Sequence, residues 1–103
     1  MYVIIFVTAS NKRQAKQIAK KLLKARLVAC VNIIPKIESL FRWQGKVDHA
    51  SELLLVAKSK KEKFPRIVKL VKSMHSYAVP EIIAIPIVAG NKEYLRWIDE
   101  SLR

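Results

Sequence analysis

Leu27-Val28-Ala29-Cys30-Val31-Asn32-Ile33-Ile34-Pro35-Lys36-Ile37-Glu38-Ser39-Leu40-Phe41-Arg42-Trp43-Gln44-Gly45-Lys46 is the stretch on which the fold turns. Leu27 to Ile34 is apolar and β-branched and reads as a strand, and Pro35, which has no N–H to give to a ladder, marks a break or bulge. The alternation Ile37, Ser39, Phe41, Trp43 then resumes, with Lys36, Glu38, Leu40 and Arg42 opposite. Gln44-Gly45 supplies the tight turn of a hairpin, and the returning strand runs from Lys46 through Leu53-Leu54-Leu55-Val56-Ala57. A long, bent hairpin therefore occupies the middle of the chain.

Upstream, Tyr2 to Thr8 is a β-rich run, followed by Ala15, Ile18, Ala19, Leu22 and Leu23 at the spacing of one helical face. Asn11 with Gln14 three residues on predicts the helix cap, and Lys12, Arg13, Lys16, Lys20, Lys21 and Lys24 form a basic outer face. Downstream, Ser59 with Glu62 is expected to cap a short turn, and Pro65 suits the first turn of a helix through Ile67, Val68, Val71 and Met74. Pro80-Glu81 opens a fourth strand, Ile82 to Ile87, and Gly90-Asn91 introduces a last helix carrying Tyr94, Leu95, Trp97, Ile98 and Leu102. The predicted class is α+β: a ferredoxin-like βαββαβ antiparallel sheet with two helices on one face, a long bent hairpin and an extra C-terminal helix. With 103 residues and no visible repeat or linker, residues 1–103 are expected to form one domain.

An antiparallel sheet covered on one side should alternate apolar and polar residues, because its second face meets water. Val3-Ile4-Ile5-Phe6-Val7, Leu53-Leu54-Leu55-Val56-Ala57 and Ile82-Ile83-Ala84-Ile85 do not. Left wet, such a face costs about 25 cal/mol per Å² and exceeds the patch a monomer tolerates. Neighbouring subunits are the simplest cover; the alternative is that the C-terminal helix folds back across the face, where it would reach only one or two strands.

The apolar content of 51% and the presence of only two glycines exclude a disordered chain, and the apolar start of the sequence is too short to span a bilayer. Neither a secretory leader nor a membrane association is expected. Cys30 is the single cysteine, so no internal disulfide forms, and a cytoplasmic location is expected. The net charge of +12 would attract polyanions, yet lysine-rich surfaces also serve solubility and stability at high temperature.

Four blocks are specific: Leu27-Val28-Ala29-Cys30-Val31-Asn32; Trp43-Gln44-Gly45-Lys46-Val47; His75-Ser76-Tyr77-Ala78-Val79-Pro80-Glu81; and Gly90-Asn91 with Tyr94, Leu95 and Trp97. In this order and spacing the chain resembles the CutA divalent-cation tolerance family from end to end. The resemblance implies a ferredoxin-like subunit, a homotrimer built through sheets and hairpins, an association with tolerance of copper and other divalent cations, and similarity to the PII signal-transduction proteins. The chain departs from the family's usual His-Pro-Tyr-Glu-Val-Pro-Glu by Ser76 and Ala78. The copper ligands ascribed to some bacterial members, a cysteine at the end of the first strand and two consecutive histidines, correspond here to Val7, Met74 and His75.

Soft copper favours thiolate, thioether and imidazole, which makes Cys30, Met74 and His75 the eligible ligands. A cysteine in an apolar strand such as Cys30 is usually a small buried hydrophobe, and core packing is the default for Met74. His75, helped by Glu81 or a symmetry-related copy, is the accessible ligand expected, giving weak and poorly selective divalent binding with no required cofactor. His75, Tyr77 and Glu81 lie around one turn, which reads also as a structural turn over a packed Tyr77. Trp43, Glu52, Lys58 and Tyr77, with Glu81, are candidates for a pocket between subunits, the alternative being a polar network that fixes assembly register. Asp48 and His49 read as a solvated pair. No phosphate loop, nucleophile motif or run of clustered carboxylates is present, so no enzymatic activity is expected. The remaining alternative is a basic RNA-binding domain of the RNA-recognition type, but the third strand, Leu53 to Ala57, has no aromatic on which a base could stack, so no specific nucleic acid is expected.

Overall fold

The computed structural model describes all 103 residues, in the order β1 (Tyr2–Ala9), α1 (Lys12–Lys24), β2 (Cys30–Trp43), β3 (Lys46–Lys60), a 3-10 turn (Lys61–Lys63), α2 (Phe64–Met74), β4 (Ile82–Pro86) and α3 (Lys92–Ser101). The sheet runs β2-β3-β1-β4, every neighbour antiparallel. This is the expected ferredoxin-like arrangement, with the extra helix at its end.

α1 forms because its apolar residues recur every three to four positions: Ala15, Ile18, Ala19 and Leu22 are buried, whereas Leu23 lies outside the stripe and is exposed. Asn11 Oδ1 accepts the Gln14 N–H at 2.8 Å, and Gln14 Oε1 reaches back to the Ser10 N–H and hydroxyl at 3.3 Å, so two orphan donors are satisfied reciprocally. At the other end Arg26 takes φ 56° while Leu27 N–H donates to Leu22 and Arg26 N–H to Leu23, a Schellman closure made without glycine. Buried Leu22 and Leu27 supply its apolar contact.

That closure corrects the start of the second strand. Leu27 gives its N–H to α1 and its carbonyl to the buried Ser59 hydroxyl at 2.6 Å, so β2 begins only at Cys30. Ser59 consequently caps nothing: it belongs to β3, and α2 starts on Lys63 with no side-chain cap, relying on Pro65 in its first turn. The fourth strand likewise stops at Pro86, one residue short of the expected end.

β2 and β3 make a hairpin of 14 and 15 residues that gives the chain a long dimension of 44 Å against 26 and 23 Å. Gln44 (φ 51°) and Gly45 (φ 77°) form the two-residue turn with both φ positive, the form whose twist matches the strands. Ile34 pairs with Leu54 but Ile37 with Glu52, so β2 carries one extra residue at Pro35–Lys36, where Lys36 has φ 57°.

Val3, Ile5, Val7, Ala9, Leu55 and Ala57 point to one side and bury against Ile18 and Leu22 of α1 and Ile67 and Val71 of α2. On the other side, α3 covers only one end: Ile98 and Leu102 pack with Ala29, Tyr2 and Leu95, and Lys60 donates to Asp99 at 2.8 Å. The rest of that face stays open, with Ile4, Phe6, Leu54 and Val56 half-buried and Ile34, Ile83 and Ile85 exposed by 44, 47 and 43%. The C-terminal helix does fold back, and the sheet is still too wide for it.

Candidate functional site

Where the open face meets the projecting hairpin, a cleft of about 760 Å³ lies between β2, β3 and the segment that joins α2 to β4. The register sets one wall. Beyond the bulge, Ser39, Phe41 and Trp43 stand opposite Ala50, Asp48 and Lys46, on the same side as Glu52. Tyr77, Ala78, Val79 and Glu81 form the other wall, and Thr8 lies at the end of β1.

The joining segment is held by two polar side chains. His75 Nε2 meets the Thr8 carbonyl at 2.6 Å and must donate to it, while Nδ1 accepts the Tyr77 N–H at 3.1 Å, so the ring is the neutral Nε2–H tautomer. The His75 and Tyr77 rings lie 4.6 Å apart. Tyr77 then donates its hydroxyl to Glu52 Oε2 at 2.8 Å, and burial followed by this hydrogen bond pushes the phenol up to about 12.

Glu52 is the one charged residue of the chain that is buried, at 6% exposure. Its Oε1 accepts no hydrogen bond from the protein, and no Lys, Arg or His forms an ion pair with it. That oxygen meets solvent through the cleft, since no fully buried side-chain oxygen of the chain is left without a partner.

The residues expected to bind metal are not brought together. Cys30 lies on the open face under α3, its Sγ 3.6 Å from the Tyr94 hydroxyl, and that contact, ahead of burial, raises the Tyr94 phenol. It pairs with Lys58, six residues along β3 from Glu52, roughly 20 Å at the rise of a strand. His75 has both nitrogens engaged, and Glu81 is exposed on the cleft wall. No group of three His, Cys, Asp or Glu side chains converges as a metal centre. Of the expected pocket residues, Trp43, Glu52 and Tyr77 share the cleft with Glu81, whereas Lys58 stands apart and donates to Asn32 Oδ1.

Glu38, Phe41 and Asp48 were not anticipated as cleft residues. The sequence shows no run of carboxylates, yet the hairpin and the α2–β4 segment assemble four, Glu38, Asp48, Glu52 and Glu81, around one space. Asp48 and His49 remain exposed, the His49 N–H donating to Asp48 Oδ1 at 2.7 Å, and both line the cleft.

The chain matches the family described as CutA1 divalent ion tolerance protein over residues 3–101. It is 46% identical over 101 residues to the divalent-cation tolerance protein CutA of Thermus thermophilus, covering 98% of each, and 48% identical over 102 residues to that of Archaeoglobus fulgidus, covering 99% of each. Among solved structures, the Thermus thermophilus protein superposes with a TM-score of 0.96 over 98% of both chains at 46% identity. A structure described as the periplasmic divalent cation tolerance protein CutA of Archaeoglobus fulgidus does so with 0.97 over 100% of both at 47% identity. These relatives are named for cation tolerance and not as enzymes, and they do not favour an RNA-recognition reading. No helix of the chain is long and apolar enough to cross a membrane.

Proposed function

The chain belongs to the CutA divalent ion tolerance family, and on that premise we propose that it works without catalysis as a homotrimer contributing to divalent-cation tolerance, with a signalling or scaffold role like that of the PII proteins. The open sheet face carries this reading. Phe6, Leu54, Val56, Ile83 and Ile85 form a band that α3 leaves uncovered, and copies of the same chain are its natural cover. The long hairpin supplies an arm to reach a neighbour, so that the cleft around Trp43, Glu52 and Tyr77 faces another subunit. The lone thiol of Cys30 supports a cytoplasmic setting.

Binding of divalent ions is weak on this reading. A metal at His75 must displace either the Tyr77 N–H or the Thr8 contact, and Cys30 is too distant to share it. Light scattering on the untagged protein tests the assembly: a trimer is expected, a monodisperse monomer at micromolar concentration overturns it, and a dimer keeps the interface but rejects the count. Leu54→Glu with Val56→Glu should disperse the oligomer. Copper titration by calorimetry tests the ligand, and tight stoichiometric binding that survives His75→Ala but not Cys30→Ser would reject His75.

A further inference from the structure

We propose that the outer side of the helix layer, α1 with α2, binds double-stranded nucleic acid through its phosphate backbone without reading sequence. The two helices carry nine of the chain's twenty basic residues, six on α1 and three on α2, and none of its eight acidic ones. All nine are exposed. None joins an ion pair, since every ion pair of the chain lies among Met1, Lys60, Glu62, Asp99 and Arg103. The side-chain hydrogen bonds that basic residues donate come from Lys58, Lys60 and Arg103 alone.

This segregation of charge works against the fold. Lys12, Lys16, Lys20 and Lys24 stand four apart on α1 as one ridge, and like charges at that spacing repel and destabilise a helix. Charge that serves stability at high temperature acts in networks of both signs, and this layer has no carboxylate to join one. A polyanion supplies the missing sign. The ridge rises about 18 Å from Lys12 to Lys24. A duplex carries a phosphate every ~3.4 Å of axis on each strand, so the ridge meets several in a row. Beside the end of α1, Arg66 and Lys69 flank a depression of about 380 Å³ floored by Ala25, Leu27 and Leu70, which carries the positive surface from one helix to the next.

Other polyanions fit less well. Single strands are gripped by stacking bases on aromatic rings, and the one aromatic of these helices, Phe64, is half-buried against the core. A bilayer surface suits helices that present apolar anchors, whereas Ile18, Leu22, Ile67 and Val71 are buried and Leu23 is the one large apolar side chain the two helices expose. The layer lies on the opposite side of the sheet from the open face, so a subunit seated on that face covers the strands and leaves the helices free.

Fluorescence anisotropy tests the proposal, with two labelled DNA duplexes of equal length and unrelated sequence titrated with the full chain in its native assembly from low to physiological salt. Micromolar binding at low salt, equal for the two duplexes, is expected, with log K falling against log salt by about 0.9 for each phosphate contacted. Lys16→Gln, Lys20→Gln and Lys24→Gln combined should weaken binding at least tenfold and reduce the salt slope by about 2 to 3. Because repulsion is relieved, their melting temperature should be unchanged or raised, which separates lost binding from lost fold. Arg42→Gln, Lys46→Gln and Lys92→Gln combined remove the same charge outside the layer and should change binding less than twofold. No anisotropy change at low salt, a tenfold preference for one duplex, or tighter binding of the single strand would each overturn the proposal. So would equal losses in the two triple variants, or equal association with phosphatidylserine vesicles at the same salt.

Discussion

Lys60, at the end of β3, donates a 2.8 Å hydrogen bond to Asp99 of α3 while its ammonium lies 5.6 Å from the centroid of the Tyr2 ring. One side chain thus fastens the C-terminal helix to the sheet and covers the aromatic beneath it. Its hydrogen bond to Asp99 raises the lysine, and that bond, followed by the one from Arg103, holds the Asp99 carboxyl below the usual carboxylate range. A depressed folded pKa gives a contribution that is present above the ordinary carboxylate value and is lost as pH falls through the folded one. The protection factors of the Ile98 and Leu102 amides, exchange taken relative to the intrinsic rate at each pH, should therefore fall on acidification below about pH 4. In Asp99→Asn the protection factors should be lower at neutral pH and insensitive to acid; equal protection in both proteins would show that the ion pair does not hold the helix.

Tyr77→Phe removes the only hydrogen bond that Glu52 receives from the protein. The expected loss is about 1–3 kcal/mol, the range for stranding a buried polar group. The phenol is raised to about 12 from an ordinary value of 10, so its contribution is complete below pH 10 and disappears as pH climbs to about 12. Denaturant midpoints measured from pH 8 to 12 at one protein concentration should converge for the two proteins at the alkaline end, and parallel curves would contradict the assignment.

Ser59→Ala leaves the Leu27 carbonyl without its 2.6 Å partner in a fully buried position. A destabilisation of about 1–3 kcal/mol is expected in urea unfolding. A change within error would mean that water or a backbone shift replaces the hydroxyl.

Arg26 closes α1 with φ 56°, a conformation that costs a side-chain-bearing residue about 1–2 kcal/mol. Arg26→Gly relieves that strain and adds chain entropy to the unfolded state, for a net gain of about 1 kcal/mol. A lower melting temperature in the variant would show that the arginine makes a contact worth more than the strain.

The layout was legible because periodicity, two turn residues and one proline carry it. Asn11, Pro65, Gly45 and Asn91 each stand at an element boundary that local chemistry predicts. The misreadings have a common physical origin. Ser59 has the spacing of a cap, but a carbonyl 32 residues away in sequence claims its hydroxyl, and Leu27 looks like strand until the closure of α1 takes its N–H. Tertiary partners decided both. The cleft was half legible: Trp43, Glu52, Tyr77 and Glu81 lie in recognisable blocks or beside them, whereas Glu38 and Asp48 are ten residues apart on two strands and become neighbours of one space only through the hairpin.

The extra residue at Pro35–Lys36 sets a phase for everything after it in β2. Positions 30, 32 and 34 face the open side before the bulge, and 37, 39, 41 and 43 face it afterwards. Removing one residue there would leave composition nearly intact but turn Phe41 and Trp43 to the far side of the hairpin together, stripping the cleft of an entire wall in one step. Between Ile34 and Trp43, therefore, selection can accept changes of letter one at a time, while a change of count is an all-or-nothing event.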